Sequence, residues 1–258
     1  MTEPEVLVGV IDRTAVITLN RPEKLNAFNH ELWSELSAAL VAYRDDSRLG
    51  AAILTGNGRA FSAGVDLAQG TPAAEQRVAL PDISPAPNPL TLMTSLCKPV
   101  ITAVNGLAFA GGMYLALSGH MIIAAASAEF ELTEIRRGVD VTGWSVGADY
   151  GLSRAMAVEI ALGGRLSAIR AHQIGLINRV VPDGELKAEA LALASYLAQL
   201  PALVVRANLD LVQRLTPALP PLVQEDAERY RSIIKGSADA REGIAAFREK
   251  RQPVFRAC

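Results

Sequence analysis

The stretch AFAGGMYLAL, residues 108–117, sets Gly111 and Gly112 between two apolar runs, just after the strand-like PVITAV of residues 99–104. A second stretch of the same design, FSAGVDL at 61–67, follows the strand-like AAILT at 51–55. A third apolar run, MIIAAA, occupies residues 121–126. These short apolar runs read as buried strands with helices between them. The fold class is therefore α/β, with small residues where strands give way to turns or helices.

Outward from that centre, VLVGVI (6–11) and AVITL (15–19) flank the turn-like Asp12-Arg13, which predicts a hairpin. NRPEKLNAFN (20–29) reads as a loop, and Asn29 is the N-cap of a helix from His30 to about Tyr43, with Leu32, Leu36, Leu40 and Tyr43 on one face. TPAAEQRVALPDISPAPNPL (71–90) has no sustained period and is expected to be a mobile surface segment. LINRVV (176–181) is a last strand; Pro182-Asp183 then opens an amphipathic helix carrying Leu186, Ala190, Leu193, Leu197 and Leu200, which Pro201 ends. Two or three further helices close the chain, the last at DAREGIAAFREKR (239–251). Strands first and helices last predict a core with a helical C-terminal extension.

Composition narrows the function. The chain has 258 residues, net charge −2 and a pI near 6.0, so no basic field points to nucleic acid or an anionic membrane. Cys97 and Cys258 have no metal-like spacing, and His30, His120 and His172 are scattered, so neither a disulfide framework nor a metal site is expected. The acidic N-terminus carries no signal-peptide pattern and no apolar run reaches a membrane span, which predicts a soluble cytoplasmic protein. Gly56-Asn57-Gly58 lacks the third glycine of a dinucleotide fingerprint, because Phe61 stands there, and no Gly-Lys-Ser/Thr follows it. GWSVG (143–147) satisfies the hydrolase pattern around Ser145. Its triad would need His172 with Asp149 or Glu159, one on the elbow helix itself and the other in the next short helix, so a serine hydrolase is a remote alternative.

The paired small-residue loops carry the stronger chemistry. Two backbone N–H groups, one from each loop, converging on one oxygen make an oxyanion hole that needs small residues rather than functional side chains. Tight strand–helix packing is the competing reading for each loop alone.

Taken together and in order, NRPEKLNAFN, GNGRAFSAGVDL (56–67), AVNGLAFAGGMYLAL (103–117), TEIRRGV (133–139), LSAIRAHQIGLINRVVP (166–182) and AFREKRQPVF (246–255) resemble the crotonase (enoyl-CoA hydratase/isomerase) superfamily. The resemblance implies a ClpP/crotonase spiral of repeated ββα units over residues 1–182, carrying an acyl-CoA site. It implies a helical C-terminal region, 183–258, that trimerises, usually into a dimer of trimers. The implied ligand is an acyl-CoA or enoyl-CoA thioester, with coenzyme A as part of the substrate and no separate cofactor. Its carbonyl would be held by the N–H groups of Ala63 and Gly111. Ala63, Gly64, Val65, Asp66 and Leu67 would line the pantetheine and adenine, Lys24, Leu25 and Ala27 would approach the adenosine, and Gly112 would keep the helix start near the ligand. The segment around 70–90 and the C-terminal helices would line the acyl pocket.

Hydratases of this superfamily use two glutamates. One is present as Glu134; Tyr114 stands where the other would be. A phenol is neutral at pH 7 and a poor base for activating water. One glutamate suffices for a one-base proton shuttle, so the resemblance implies isomerase-like or atypical hydratase chemistry, with Asp140 as a further acid nearby. The alternative of another class is an acyl-CoA-binding homologue without turnover.

Overall fold

Strands β1 (Val6–Ile11) and β2 (Thr14–Leu19) pair antiparallel as a hairpin, and its tight turn holds Asp12 at φ 52°. Asn29 caps α1 (His30–Asp45) as expected, its side chain accepting from Leu32 N. From there the chain repeats one move. β3 (Ala51–Gly56) is followed by the short β4 (Ala60–Ser62) and, later, α2 (Pro89–Ser95). β5 (Val100–Val104) is followed by β6 (Leu107–Phe109) and α3 (Gly111–Leu117). β7 (Met121–Ala125) is followed by β8 (Glu129–Glu131), a 3₁₀ turn at Thr133–Arg137 and α4 (Arg154–Ala161). The chain then passes through β9 (Leu166–Ser167), α5 (Ala168–Gln173) and β10 (Arg179–Val181). This computed structural model describes residues 3–67, 87–139, 151–215 and 221–256. Most of the segment expected to be mobile, residues 71–86, lies outside them, and its end opens α2.

Five strands of five or six residues and the short β10 form a six-stranded sheet, β1-β2-β3-β5-β7-β10, parallel beyond the hairpin. The remaining strands form a second sheet, β4-β6-β8-β9. From β3 onward each ββα unit thus contributes one strand to each sheet, the spiral that the family resemblance implied. Side chains alternate across the large sheet. Leu54, Val104 and Ala124 join the main core with Phe28, Leu36 and Phe130. Ile53, Ile101 and Ile123 point to the other face, where α6 (Leu186–Gln199) covers them with Leu186, Ala190, Leu193 and Ala194. The first helix of the C-terminal region is therefore part of the sheet's packing. Beyond Pro201 come α7 (Ala202–Leu215), α8 (Pro221–Gly236) and α9 (Ala238–Arg248).

Candidate functional site

The first wall of the site is the loop after β2. Arg21, buried, gathers it: Asn26 Oδ1 accepts from its backbone N at 2.8 Å, the Ala27 carbonyl accepts from its Nη1, and its guanidinium meets Asp66 at 3.3 Å and Glu5 at 3.1 Å. Leu25 and Asn26 both have positive φ, near 54° and 53°. The wholly buried Asn26 amide fixes this bend by donating to the carbonyls of Asn57 (2.9 Å) and Ala60 (2.8 Å). Within the stretch expected to meet coenzyme A, Lys24 is exposed, Leu25 is half-buried and Ala27 is buried. Asp66 is the ion-pair partner that ties the FSAGVDL loop to Arg21.

The two small-residue loops abut. Gly64 lies so close to Gly111 that a Cβ added there would fall 2.7 Å from Gly111 N. Gly64 also has φ +83°, which a side chain would strain. The expected donor pair needs one correction. The Ala63 N–H is engaged with the Leu25 carbonyl at 2.9 Å, so it holds the loop rather than facing a ligand. A parallel bridge joins Val65 to Phe28, made by Phe28 N to Gly64 O (2.7 Å) and Asp66 N to Phe28 O (2.9 Å), and it leaves the Val65 N–H unengaged among the described residues. Gly111 N, at the first position of α3, is equally unengaged among them. Ala110, just before it, has φ 53° and ψ −131°, costly for a residue with a Cβ, and its N–H is pinned at 2.8 Å by the Glu131 carbonyl. Gly112 is buried and seated against Ser62.

Glu134 sits on the 3₁₀ turn, half-buried, with Oε2 shielded from solvent. The turn is braced from both ends. Glu131, wholly buried at the end of β8, is bound by Arg136 at 2.8 Å and Arg165 at 2.6 Å. On the other side α9 packs so tightly that Gly243 lies against the Arg137 carbonyl. Arg136 therefore serves Glu131, not Glu134. Arg137 donates to Thr133 Oγ1 at 2.9 Å and stacks on Phe247, 4.5 Å from its ring centre. Burial pulls its pKa below the ordinary arginine value, with the charges of Glu134 and Glu131 opposing.

A cavity of about 420 Å³ unites these parts. Ala63, Val65, Ala110 and Gly111 form its backbone side; Tyr114 and Glu134 line it together. Leu67 and Leu90 give it apolar wall, and Arg137 and Arg231 give it cations. Tyr114 is half-buried at this wall. Asp140 and Ser145 lie outside the described residues, and His172, needed by the hydrolase alternative, approaches the Ile177 carbonyl at 3.3 Å. Among the described residues no cluster of His, Cys, Asp and Glu has metal-binding geometry, and no single helix is long and apolar enough to cross a membrane. Arg231 was not legible beforehand: it belongs to a C-terminal helix whose place over the site no local pattern gives. Arg21 and Glu131 were missed for the same reason, since their partners lie far along the chain.

A family model described as enoyl-CoA hydratase/isomerase matches residues 11–257. The chain belongs to the enoyl-CoA hydratase/isomerase family. A relative, the 1,2-epoxyphenylacetyl-CoA isomerase of Escherichia coli (strain K12), is 38% identical over 262 residues, spanning 97% of each chain. The carnitinyl-CoA dehydratase of Salmonella heidelberg (strain SL476) is 39% identical over 251 residues, covering 93% of this chain and 94% of that protein. The crystal structure of carnitinyl-CoA hydratase from Mycobacterium avium superimposes with TM-score 0.85 at 33% identity over 100% of both chains. The two sheets and their ββα units are thus the crotonase fold of this family.

Proposed function

We propose that this family member is an enzyme that binds an acyl-CoA or enoyl-CoA thioester and moves a proton along its acyl chain through an enolate. The N–H groups of Gly111 and Val65 hold the thioester oxygen, and Glu134 carries the proton. One observation carries the reading: a single cavity brings the Glu134 carboxylate together with two N–H groups that are unengaged among the described residues. An α-proton of a thioester is a weak acid, and its removal builds charge on the carbonyl oxygen. Backbone donors preorganised at that oxygen stabilise the charge by about 3–4 kcal/mol each.

Tyr114 decides between reactions. Two-carboxylate hydration needs a second base to activate water, and a phenol, neutral at pH 7, does not supply one. Glu134 alone suffices to take a proton at one carbon and return it at another, so isomerase-like chemistry is the favoured assignment. The relatives by name include an isomerase and a dehydratase, both acting on CoA thioesters. The scheme draws on no group beyond the chain and the thioester, with Lys24, Leu25, Ala27 and the Ala63–Leu67 strip toward coenzyme A. It is completed by assembly of the helical region, 183–258, into trimers.

The test is Glu134→Gln, assayed for isomerisation and hydration over a panel of enoyl-CoAs. Turnover should fall by roughly 10²–10⁴ while thioester binding persists. Unchanged turnover of every active substrate removes Glu134 from the mechanism. If the unaltered chain binds thioesters tightly and turns none over, it is a binding protein instead.

A further inference from the structure

One carboxylate is folded wholly out of water although it does not line the thioester cavity. Glu131, the last residue of β8, gives one oxygen to each of two arginines, Arg136 at 2.8 Å and Arg165 at 2.6 Å. Both arginines reach solvent. A buried carboxylate held in this way stabilises a fold no better than an apolar side chain of similar volume, because desolvation offsets the attraction. What the apolar side chain lacks is direction.

Glu131 lies where the two halves of the site meet. β8 runs parallel to β6, with Glu131 opposite Phe109 in register. The Glu131 carbonyl accepts from Ala110 N at 2.8 Å, and so holds the strained residue from which Gly111 N projects. The side chain reaches the same strand again through Arg165, whose guanidinium lies 5.1 Å from the centre of the Phe109 ring. Arg165 is also anchored by Glu129, at 3.2 Å. The other carboxylate oxygen takes Arg136, two residues past Glu134 on the 3₁₀ turn. One residue thus grips both the strand end that presents the oxyanion donor and the turn that presents the base.

We propose that Glu131 is a positioning residue for the proton transfer: through Arg136 and Arg165 it fixes the Glu134 carboxylate relative to the Gly111 N–H. This rests on the thioester reading above. Base and donor act on one thioester, and a misplacement of about 1 Å costs on the order of a hundredfold in rate.

The test compares the parent with Glu131→Gln and Glu131→Met, both close to it in volume, on its best enoyl-CoA substrate. Rates are counted per chain that binds thioester, so loss of folded protein does not register as loss of turnover. Both kcat and the exchange of the thioester α-proton in D2O, read by NMR, should fall roughly tenfold to a hundredfold. The thioester Kd, measured by calorimetry, should stay at the parent value, and Glu131→Met should keep the parent's urea midpoint. Arg136→Gln and Arg165→Gln alter exposed side chains and test the same link if neither buried variant folds. Each should slow both rates, and the pair together should slow them less than the product of the single effects, since they act through one carboxylate. Parent rates in the Glu131 variants, or in both arginine variants, overturn the proposal and leave the thioester reading intact. A fall in rate matched by an equal loss of thioester affinity also overturns it, because the site has then collapsed rather than lost alignment. A parent chain that turns over no thioester overturns both.

Discussion

A methyl group added at Gly112 would overlap the Ser62 carbonyl, because α3 begins flush against β4. One position earlier, a Cβ on Gly111 would meet the Phe28 ring at 3.4 Å and Gly64 Cα at 3.6 Å, close to ordinary contact. The two adjacent glycines thus serve different ends, one packing and one access to a backbone N–H. Gly112→Ala should destabilise the fold by about 1–3 kcal/mol, the usual cost of overpacking, whereas Gly111→Ala should stay well below that. Urea denaturation of the two variants checks it; equal midpoints would show that α3 can lift away from β4. Residue identity alone did not separate these roles, nor did it show that the Ala63 N–H is already engaged. The sequence shows small residues at 63–65, but the choice between Ala63 and Val65 depends on the Leu25 carbonyl, brought in by a bend at two positive-φ residues. That bend depends in turn on the buried Asn26 amide reaching the far side of β3.

Between elements, His120 joins three pieces of the molecule. Its Nδ1 accepts from Val100 N at 3.1 Å, at the start of β5, and its Nε2 lies 2.9 Å from the Leu96 carbonyl after α2. Gln213 of α7 donates to that same carbonyl at 3.0 Å. An Nδ1 that accepts a hydrogen bond must be unprotonated, so the ring is neutral with its proton on Nε2. Burial lowers the His120 pKa below 6.5, and the Leu96 hydrogen bond opposes only in part. Below pH 6.5 the unfolded chain therefore binds a proton that the folded chain refuses. The stability from this site is complete above that pH and declines as pH falls through the folded value. Denaturation from about pH 7.5 to about pH 5 should show a steeper loss for the parent than for His120→Gln, which does not titrate; identical slopes would assign the acid sensitivity elsewhere. Legibility at this scale followed length. The α1 cap at Asn29 and the α6 stop at Pro201 were readable because many residues repeat one pattern. The second sheet was not, because β4, β6 and β8 are three residues each and carry no period of their own. The brace on the Glu134 turn was hidden likewise: Glu131 and Arg165 meet only once β8 and β9 pair.

For the whole molecule, the outer surface of the C-terminal helices is the part that a single chain leaves unfinished. Leu203 and Leu211 on α7 are 81% and 57% exposed, and Leu222 and Ile233 on α8 are 70% and 60% exposed. Among the described residues α8 contributes no buried side chain at all, although its apolar positions keep helical spacing. Contact with another chain would cover this apolar surface, which charged pairs such as Asp226–Arg229 interrupt. The chain should therefore run in solution as a multiple of its 27.4 kDa, a trimer or a pair of trimers, by light scattering after size exclusion. Leu203→Glu combined with Leu222→Glu should reduce it to the single-chain mass. The same helix sends Arg231 into the cavity beside Glu134. Dissociation should thus loosen α8 and weaken thioester binding, even though neither substituted leucine lines the site. A variant that is monomeric yet binds thioesters as tightly as the parent would separate assembly from function. Loss of mass and of affinity together would show that the site is completed only when its outer helices are covered.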